Sequence, residues 1–397
     1  MAFDTQRLSR IDPHFQRYVD DGRLAGWQLQ VSQHGEVAHE SVYGVTDVET
    51  SRPVKDDTLW RIYSMTKPLV SVAAMILWEQ GLFELTDEVS RYIPSFANVQ
   101  VYDRGSNTKP FLVPATEPIR MWHLLSHTSG LTYGFMQQHP VDAMYRGAGF
   151  DFGHPPGMDL AGVCDAWAAL PLRFQPGSAW GYGVSTDVLG RVIEVISGQT
   201  LDVYLADNVL TPLGMTDTRW WVEGPDLDRL ATLYAPWEGA LVRYDALGKA
   251  ALRKPTALNG GGGLISTAAD YARFMKLLLG RGETDGVRLL APRTLELMTR
   301  NHLPGGADLG QCSIGGFAET VFDGIGFGLG FAVVLDPGPA KTAGSAGELY
   351  WGGLASTAFW VDRSTGVTAA FYTQLVPSST YPIRSQLRQL VYSALLD

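Results

Sequence analysis

Apolar and polar positions alternate along Trp27 to Ser32, and Val37 to Tyr43 is a second β-rich run, with His34-Gly35 between them, a pattern that predicts two strands joined as a hairpin behind a short N-terminal helix. After Ser64 the period changes. Leu69, Ala73, Ile76 and Leu77 recur at helical spacing, and Gly81 supplies a C-terminal cap, so a helix is expected there, with Pro68 tolerated in its first turn. From about Leu85 to Lys254 the pattern predicts helices and long Pro/Gly-containing connections, for example Asp103 to Pro118 and Gly147 to Met158, with no run of alternating strands. Strand signals return at Gly326 to Leu335, Leu354 to Val361 and Val367 to Gln374, separated by turns such as Asp362-Arg363-Ser364-Thr365-Gly366, and Tyr381 to Leu396 reads as a closing amphipathic helix.

Neither end holds enough strands for a sheet of its own, so one sheet assembled from both ends is expected. The fold class is α/β in the broad α+β sense: an antiparallel sheet flanked by helices, with a second, mostly helical domain. The division expected is residues 1–84 plus 255–397 for the sheet domain and 85–254 for the helical one. A length of 397 residues, 45% of them hydrophobic, is ample for that core.

A net charge of −10 leaves no basic surplus to neutralise phosphates, which argues against a nucleic-acid partner. The N-terminus lacks the apolar region of a signal peptide, and no apolar stretch reaches the roughly 18 residues that span a bilayer, so no membrane association and a cytoplasmic location are expected. The two cysteines, Cys164 and Cys312, suggest neither a disulfide framework nor a metal site. No His-Glu-x-x-His or comparable ligand cluster appears, and Gly260 to Gly263 is followed by no Gly-Lys-Ser/Thr, so that cluster reads as a tight turn and not a phosphate loop.

Ser64-Met65-Thr66-Lys67 matches Ser-x-x-Lys. Residues three apart share a helix face, so the Lys67 amine can reach the Ser64 hydroxyl, and a helix N-terminus favours developing negative charge. Ser106-Asn107-Thr108-Lys109 matches too, but it sits in a turn-rich stretch with no helical period after it. The bland alternative for Ser64 is a helix cap, and for Lys67 a solvated helix residue. An α/β-hydrolase would need Gly-x-Ser-x-Gly, which is absent; Gly183-Val184-Ser185-Thr186-Asp187 comes nearest and lacks the second glycine. The conspicuous His127 reads better as a loop-ordering hydrogen bonder than as the base of a triad.

Three further segments extend the pattern in order: Leu124-Leu125-Ser126-His127-Thr128-Ser129-Gly130, then Phe174-Gln175-Pro176-Gly177 leading to Tyr182, then Trp351-Gly352-Gly353. With Ser64-Met65-Thr66-Lys67-Pro68 these resemble the serine β-lactamase and penicillin-binding-protein superfamily, class C-like branch, and within it the family VIII carboxylesterases. The resemblance implies a Ser64 nucleophile with Lys67 and Tyr182 sharing the roles of base and acid. It also implies an oxyanion hole at the backbone N–H groups of Ser64 and Leu354, and no cofactor. Where lactam-opening relatives carry Tyr-x-Asn this chain has Tyr182-Gly183-Val184, and where they carry Lys-Thr-Gly it has Trp351-Gly352-Gly353. Lys341-Thr342-Ala343-Gly344 is an alternative for that last element, set in a Pro/Gly/Ala-rich segment.

Val184 and Trp351 offer a substrate carboxylate or amide neither charge nor an asparagine-like hydrogen bond. The expected partner is therefore a small-molecule neutral ester; a β-lactamase, a D-amino-acid peptidase, an acyltransferase or a non-catalytic acyl- or peptide-binding relative stand as alternatives. Val184, Trp351, Gly352 and Gly353 are expected to contact substrate. Oligomeric state is left open, a homo-oligomer included.

Overall fold

In the computed structural model, which describes residues 3–315 and 322–396, an eight-stranded antiparallel sheet joins the two ends of the chain. Its strands are β1 (Gly26–Gln33), β2 (Glu36–Asp47), β3 (Arg52–Pro53), β4 (Ile325–Phe327), β5 (Ala332–Val334), β6 (Leu349–Gly352), β7 (Ala358–Asp362) and β8 (Val367–Tyr372). The spatial order is β4-β5-β6-β7-β8-β1-β2-β3, so β8 lies between β7 and β1, with Gln33 opposite Val367 and Gln28 opposite Tyr372. The β1–β2 turn is made by His34 and Gly35, both at positive φ (51° and 83°), which matches the twist of the strands it joins.

Both faces of the sheet are covered, which is why every residue of β8 is buried and its sequence does not alternate. Val367, Ala369 and Phe371 point into one core, Ala370 and Tyr372 into the other. The first face meets α1 (Ile11–Asp20) and the C-terminal helix, with Phe15 and Phe371 ring centres 4.8 Å apart. The second face meets α2 (Thr66–Glu79) and, further along the chain, Ala268–Leu279, whose Tyr271 lies 5.1 Å from Phe359. α2 is buried nearly all round, as its apolar composition requires. α3 (Ser185–Ser197) lies against α2, and one hydrophobic cluster runs from Leu69 and Ala73 to Val188 and Val192.

The hairpin, the helix after Ser64, the closing helix (Ile383–Ala394) and the two-ended sheet all match the pattern of the sequence. Three details differ. Gly326 to Leu335 is not one strand but the hairpin β4–β5, because the chain reverses through Gly328 and Gly330. A side chain at Gly330 would begin 2.4 Å from Ser71 of α2. Residues 100–114, which overlap the connection expected over Asp103 to Pro118, form a hairpin of Gln100–Gly105 with Pro110–Pro114, whose alternation is masked by the exposed Phe111, Leu112 and Val113; a second hairpin pairs Tyr234–Trp237 with Ala240–Arg243. Trp351 and Gly352 end strand β6 and do not precede a strand at Leu354; residues 354–357 are the turn into β7.

The closing helix, here α4 (Ile383–Ala394) in order of introduction, is tied to the sheet by buried charge. Arg388 reaches Glu348 at 2.7 Å, and the Tyr392 hydroxyl donates to Glu348 (2.5 Å) and Asp362 (3.1 Å). Glu348 and Asp362 are wholly buried, and burial pushes the Glu348 carboxyl up, against the pull of Arg388. Arg388→Met should therefore leave an unpaired buried carboxylate and destabilise the protein by about 3 kcal/mol at neutral pH. Because the folded-state pKa of Glu348 is raised, the stability at stake is present below the unfolded value and lost as pH rises through the folded one. The deficit should thus shrink as pH falls toward about 4.3, the ordinary glutamate value; chemical denaturation of both proteins across that range checks it, and a pH-independent deficit would rule out the buried carboxylate as its source.

Among the described residues no helix is long and apolar enough to cross a membrane.

Candidate active site

Ser64 occupies the single 3₁₀ turn Tyr63–Met65 that leads into α2, and the residue before it, Tyr63, holds φ at +41°, a conformation that bulky side chains rarely adopt. Lys67 follows one turn later and is completely buried. Its Nζ donates to Ser64 Oγ at 3.1 Å and to the carbonyl of Gly261 at 2.5 Å, and it stands 4.6 Å from the centre of the Tyr182 ring and 5.4 Å from that of Tyr133. The spacing of Ser-x-x-Lys thus delivers the contact it suggests. The second copy does not: Ser106 and Lys109 lie in the exposed turn of the 100–114 hairpin, where Ser106 Oγ takes the Lys109 backbone N–H.

Tyr182 comes from the segment before α3, and two loops hold it. Gly181 N–H donates to the His127 carbonyl and Gly177 N–H to that of Thr128, while Ser129 and Ser185 share a hydroxyl bond of 2.8 Å. Gly183 is needed here, since a Cβ would lie 2.3 Å from the Leu131 carbonyl oxygen. The His127 imidazole packs on Tyr182 with ring centres 4.8 Å apart. Burial, reinforced by the charge of Lys67, holds His127 well below the usual histidine range, so it is neutral at pH 7.

Trp351, at the end of β6, donates its indole N–H to the Tyr182 hydroxyl at 3.0 Å. It is not among the residues lining the cavity beside Ser64, so its contact is with Tyr182 and not with that cavity. Gly352 and Gly353 have their own constraints: a Cβ at Gly352 would strike the Arg384 guanidinium, and one at Gly353 the Ile62 carbonyl oxygen at 2.4 Å and Thr357 Oγ1 at 2.3 Å. The alternative Lys341 sits exposed at the end of the helical turn Pro337–Ala340.

The cavity has a volume of about 200 Å³ and opens beside Ser64, with Val184 and Leu354 also in its wall. One side is aromatic: Tyr133, Phe135 and Phe152 stack in sequence at 4.9 Å per step, with Phe150 and Trp167 beyond. The other side carries Tyr63 and Leu247. Burial pushes the Tyr63 phenol up to about 12, so it stays protonated through the neutral range.

Two participants were not singled out by the sequence. The Gly260–Gly263 cluster, read only as a turn, supplies the carbonyl that holds Lys67. Asp187 at the start of α3, noticed only as the end of a failed pentapeptide, is buried in the cavity wall and accepts the Gly261 N–H at 2.9 Å. A run of glycines can signal close approach of backbone to a functional side chain; nothing local to Asp187 does. Among the described residues no cluster of His, Cys, Asp and Glu could hold a metal ion.

Residues 11–393 match the Beta-lactamase family. Protein Rv1367c of Mycobacterium tuberculosis is 36% identical over 361 residues, covering 90% of this chain and 88% of that one. Esterase EstB of Burkholderia gladioli is 31% identical over 404 residues, covering 97% and 95% respectively. Among solved structures, "EstCE1, a hydrolase with promiscuous acyltransferase activity" superposes with a TM-score of 0.83 at 28% identity, covering 98% of this chain and 99% of that one.

Proposed function

The chain belongs to the Beta-lactamase family, and from that premise we propose that it is a serine hydrolase of carboxylic esters, of the family VIII type, that works through an acyl-enzyme on Ser64. One observation carries the reading: a completely buried lysine donates to Ser64 Oγ at 3.1 Å beside an apolar cavity, with the Tyr182 ring 4.6 Å from its ammonium. Ser64 attacks the ester carbonyl while its proton passes to the Lys67–Tyr182 pair. The tetrahedral oxyanion is held by the backbone N–H groups of Ser64 and Leu354, each such donor worth about 3 kcal/mol. The alcohol leaves with a proton from the same pair, and water repeats the sequence to release the acid.

Neutral esters suit this site better than lactams. Val184 lines the cavity with an alkyl group, and Trp351 spends its one donor on Tyr182, so neither supplies a charge or amide for a substrate carboxylate. Esters also need no protonation of a leaving nitrogen. Wild-type protein should therefore turn over a short-chain p-nitrophenyl ester at least 100-fold faster, by kcat/KM, than a chromogenic cephalosporin, roughly the discrimination expected when a polar substrate group finds no partner. Dominant cephalosporin turnover would overturn the esterase reading in favour of a β-lactamase.

A second reading, transfer of the acyl group to an alcohol, draws on the aromatic wall, which offers an apolar acceptor a place to dock, and on the acyltransferase activity named for EstCE1. Adding an apolar alcohol to the same assay separates the two: ester product in excess of free acid favours transfer.

A further inference from the structure

The catalytic reading leaves Lys67 with a problem. A charged amine with no exposed surface must find its compensation inside the protein. The partners it donates to are neutral, namely Ser64 Oγ at 3.1 Å and the Gly261 carbonyl at 2.5 Å. The groups facing it are Tyr182, His127 and Tyr133 from the loops and Asp187 from α3.

Asp187 is the one anion in that set. It is buried, and its Oδ1 accepts the N–H of the same residue, Gly261, whose carbonyl takes the Lys67 ammonium. Gly261 could carry no side chain, because a Cβ would lie 2.4 Å from Asp187 Oδ2 and 3.0 Å from the Tyr133 hydroxyl. The carboxylate, Gly261 and the ammonium therefore form a polarised row: the anion draws on the N–H at one end and the cation on the C=O at the other. Around Asp187 the remaining titratable neighbours are Tyr133, His154 and Cys164. Burial pushes its own carboxyl up while Lys67 pulls it down.

We propose that Asp187 is the countercharge of Lys67, a positioning residue that acts through Gly261 to keep the ammonium seated against Ser64 Oγ. The proposal rests on the Ser64–Lys67 assignment above for its effect on catalysis, but the pairing of the two charges can be read without any substrate.

The experiment is a double-mutant cycle in thermal melting, using Lys67→Met, Asp187→Asn and the double variant. Each single change strands one buried charge and should lower Tm by several degrees; removing both should recover part of the loss, so that the double variant melts above Lys67→Met alone. A double variant no more stable than Lys67→Met, unfolded protein included, overturns the proposal. In the ester assay, Asp187→Asn should lower kcat at least tenfold while KM stays within about twofold, since the ammonium beside Ser64 Oγ is displaced but the cavity that binds the ester is kept. A loss carried by KM with kcat unchanged would mark Asp187 as merely shaping the cavity and overturn the proposal. If the wild type hydrolyses no ester at all, the esterase reading fails while the melting cycle still decides the charge pairing.

Discussion

Ser64→Ala is expected to remove ester hydrolysis almost completely, lowering kcat by about 10⁴-fold or more while leaving the fold intact. The magnitude follows from what the hydroxyl does: without a nucleophile the acyl-enzyme route closes, and the oxyanion donors and cavity provide only the residual acceleration that such sites retain over water. The fold should survive because Ser64 is only part-buried, lies in a single turn before α2 and uses its hydroxyl to accept from Lys67. Steady-state kinetics with a p-nitrophenyl ester, beside a circular dichroism melt, checks both halves. Turnover retained within tenfold of wild type would remove Ser64 from the chemistry and return it to the role of a helix-entry serine.

Tyr182→Phe should cost about 10²- to 10⁴-fold in kcat, the range for loss of a group that moves a proton in the transition state. The ring would still pack against His127 and Trp351 and still face Lys67, so the loss isolates the hydroxyl. Trp351→Phe is the companion. It keeps an aromatic ring but removes the N–H that reaches the Tyr182 oxygen at 3.0 Å and stabilises negative charge developing there in the transition state. The expected loss is about tenfold, from the loss of one hydrogen bond to a charged form. Combined, the two changes should cost no more than Tyr182→Phe alone, because the indole acts only through the hydroxyl. Additive losses would show instead that Trp351 meets the substrate itself.

The parts of this molecule that could be read from the sequence are those in which local spacing and local physics coincide. The three-position step from Ser64 to Lys67 places both on one helical face whatever surrounds them, and His34-Gly35 turns its hairpin by backbone preference alone. The decoy at Ser106 could be set aside for the same reason, since no helical period followed it. What stayed hidden depends on partners far along the chain. Gly330 breaks an apparent strand because Ser71 lies against it, and Trp351 belongs with Tyr182 through a contact that spans 169 residues. Asp187 and Gly261 meet across 74 residues, and neither carries a local signature of the other. The exposed apolar residues 111–113 concealed a hairpin because they break the usual rule that alternation faces a core.

The position of β8 between β7 and β1 has a bearing on how the protein is made. The first hairpin of the chain cannot close its inner edge until Val367 to Tyr372 arrives, so the centre of the sheet is stitched by the pairing with the greatest separation along the chain. Such non-local closure is slow, and until it happens the unpaired N–H and C=O groups along the inner edge of β1 are open to other chains. On a ribosome the nucleophile would be synthesised early yet stand on an unfinished support, and a truncated product lacking β8 would be an aggregation hazard and not a weakly active enzyme. Whatever turnover Ser64 supports would thereby come only from completed molecules.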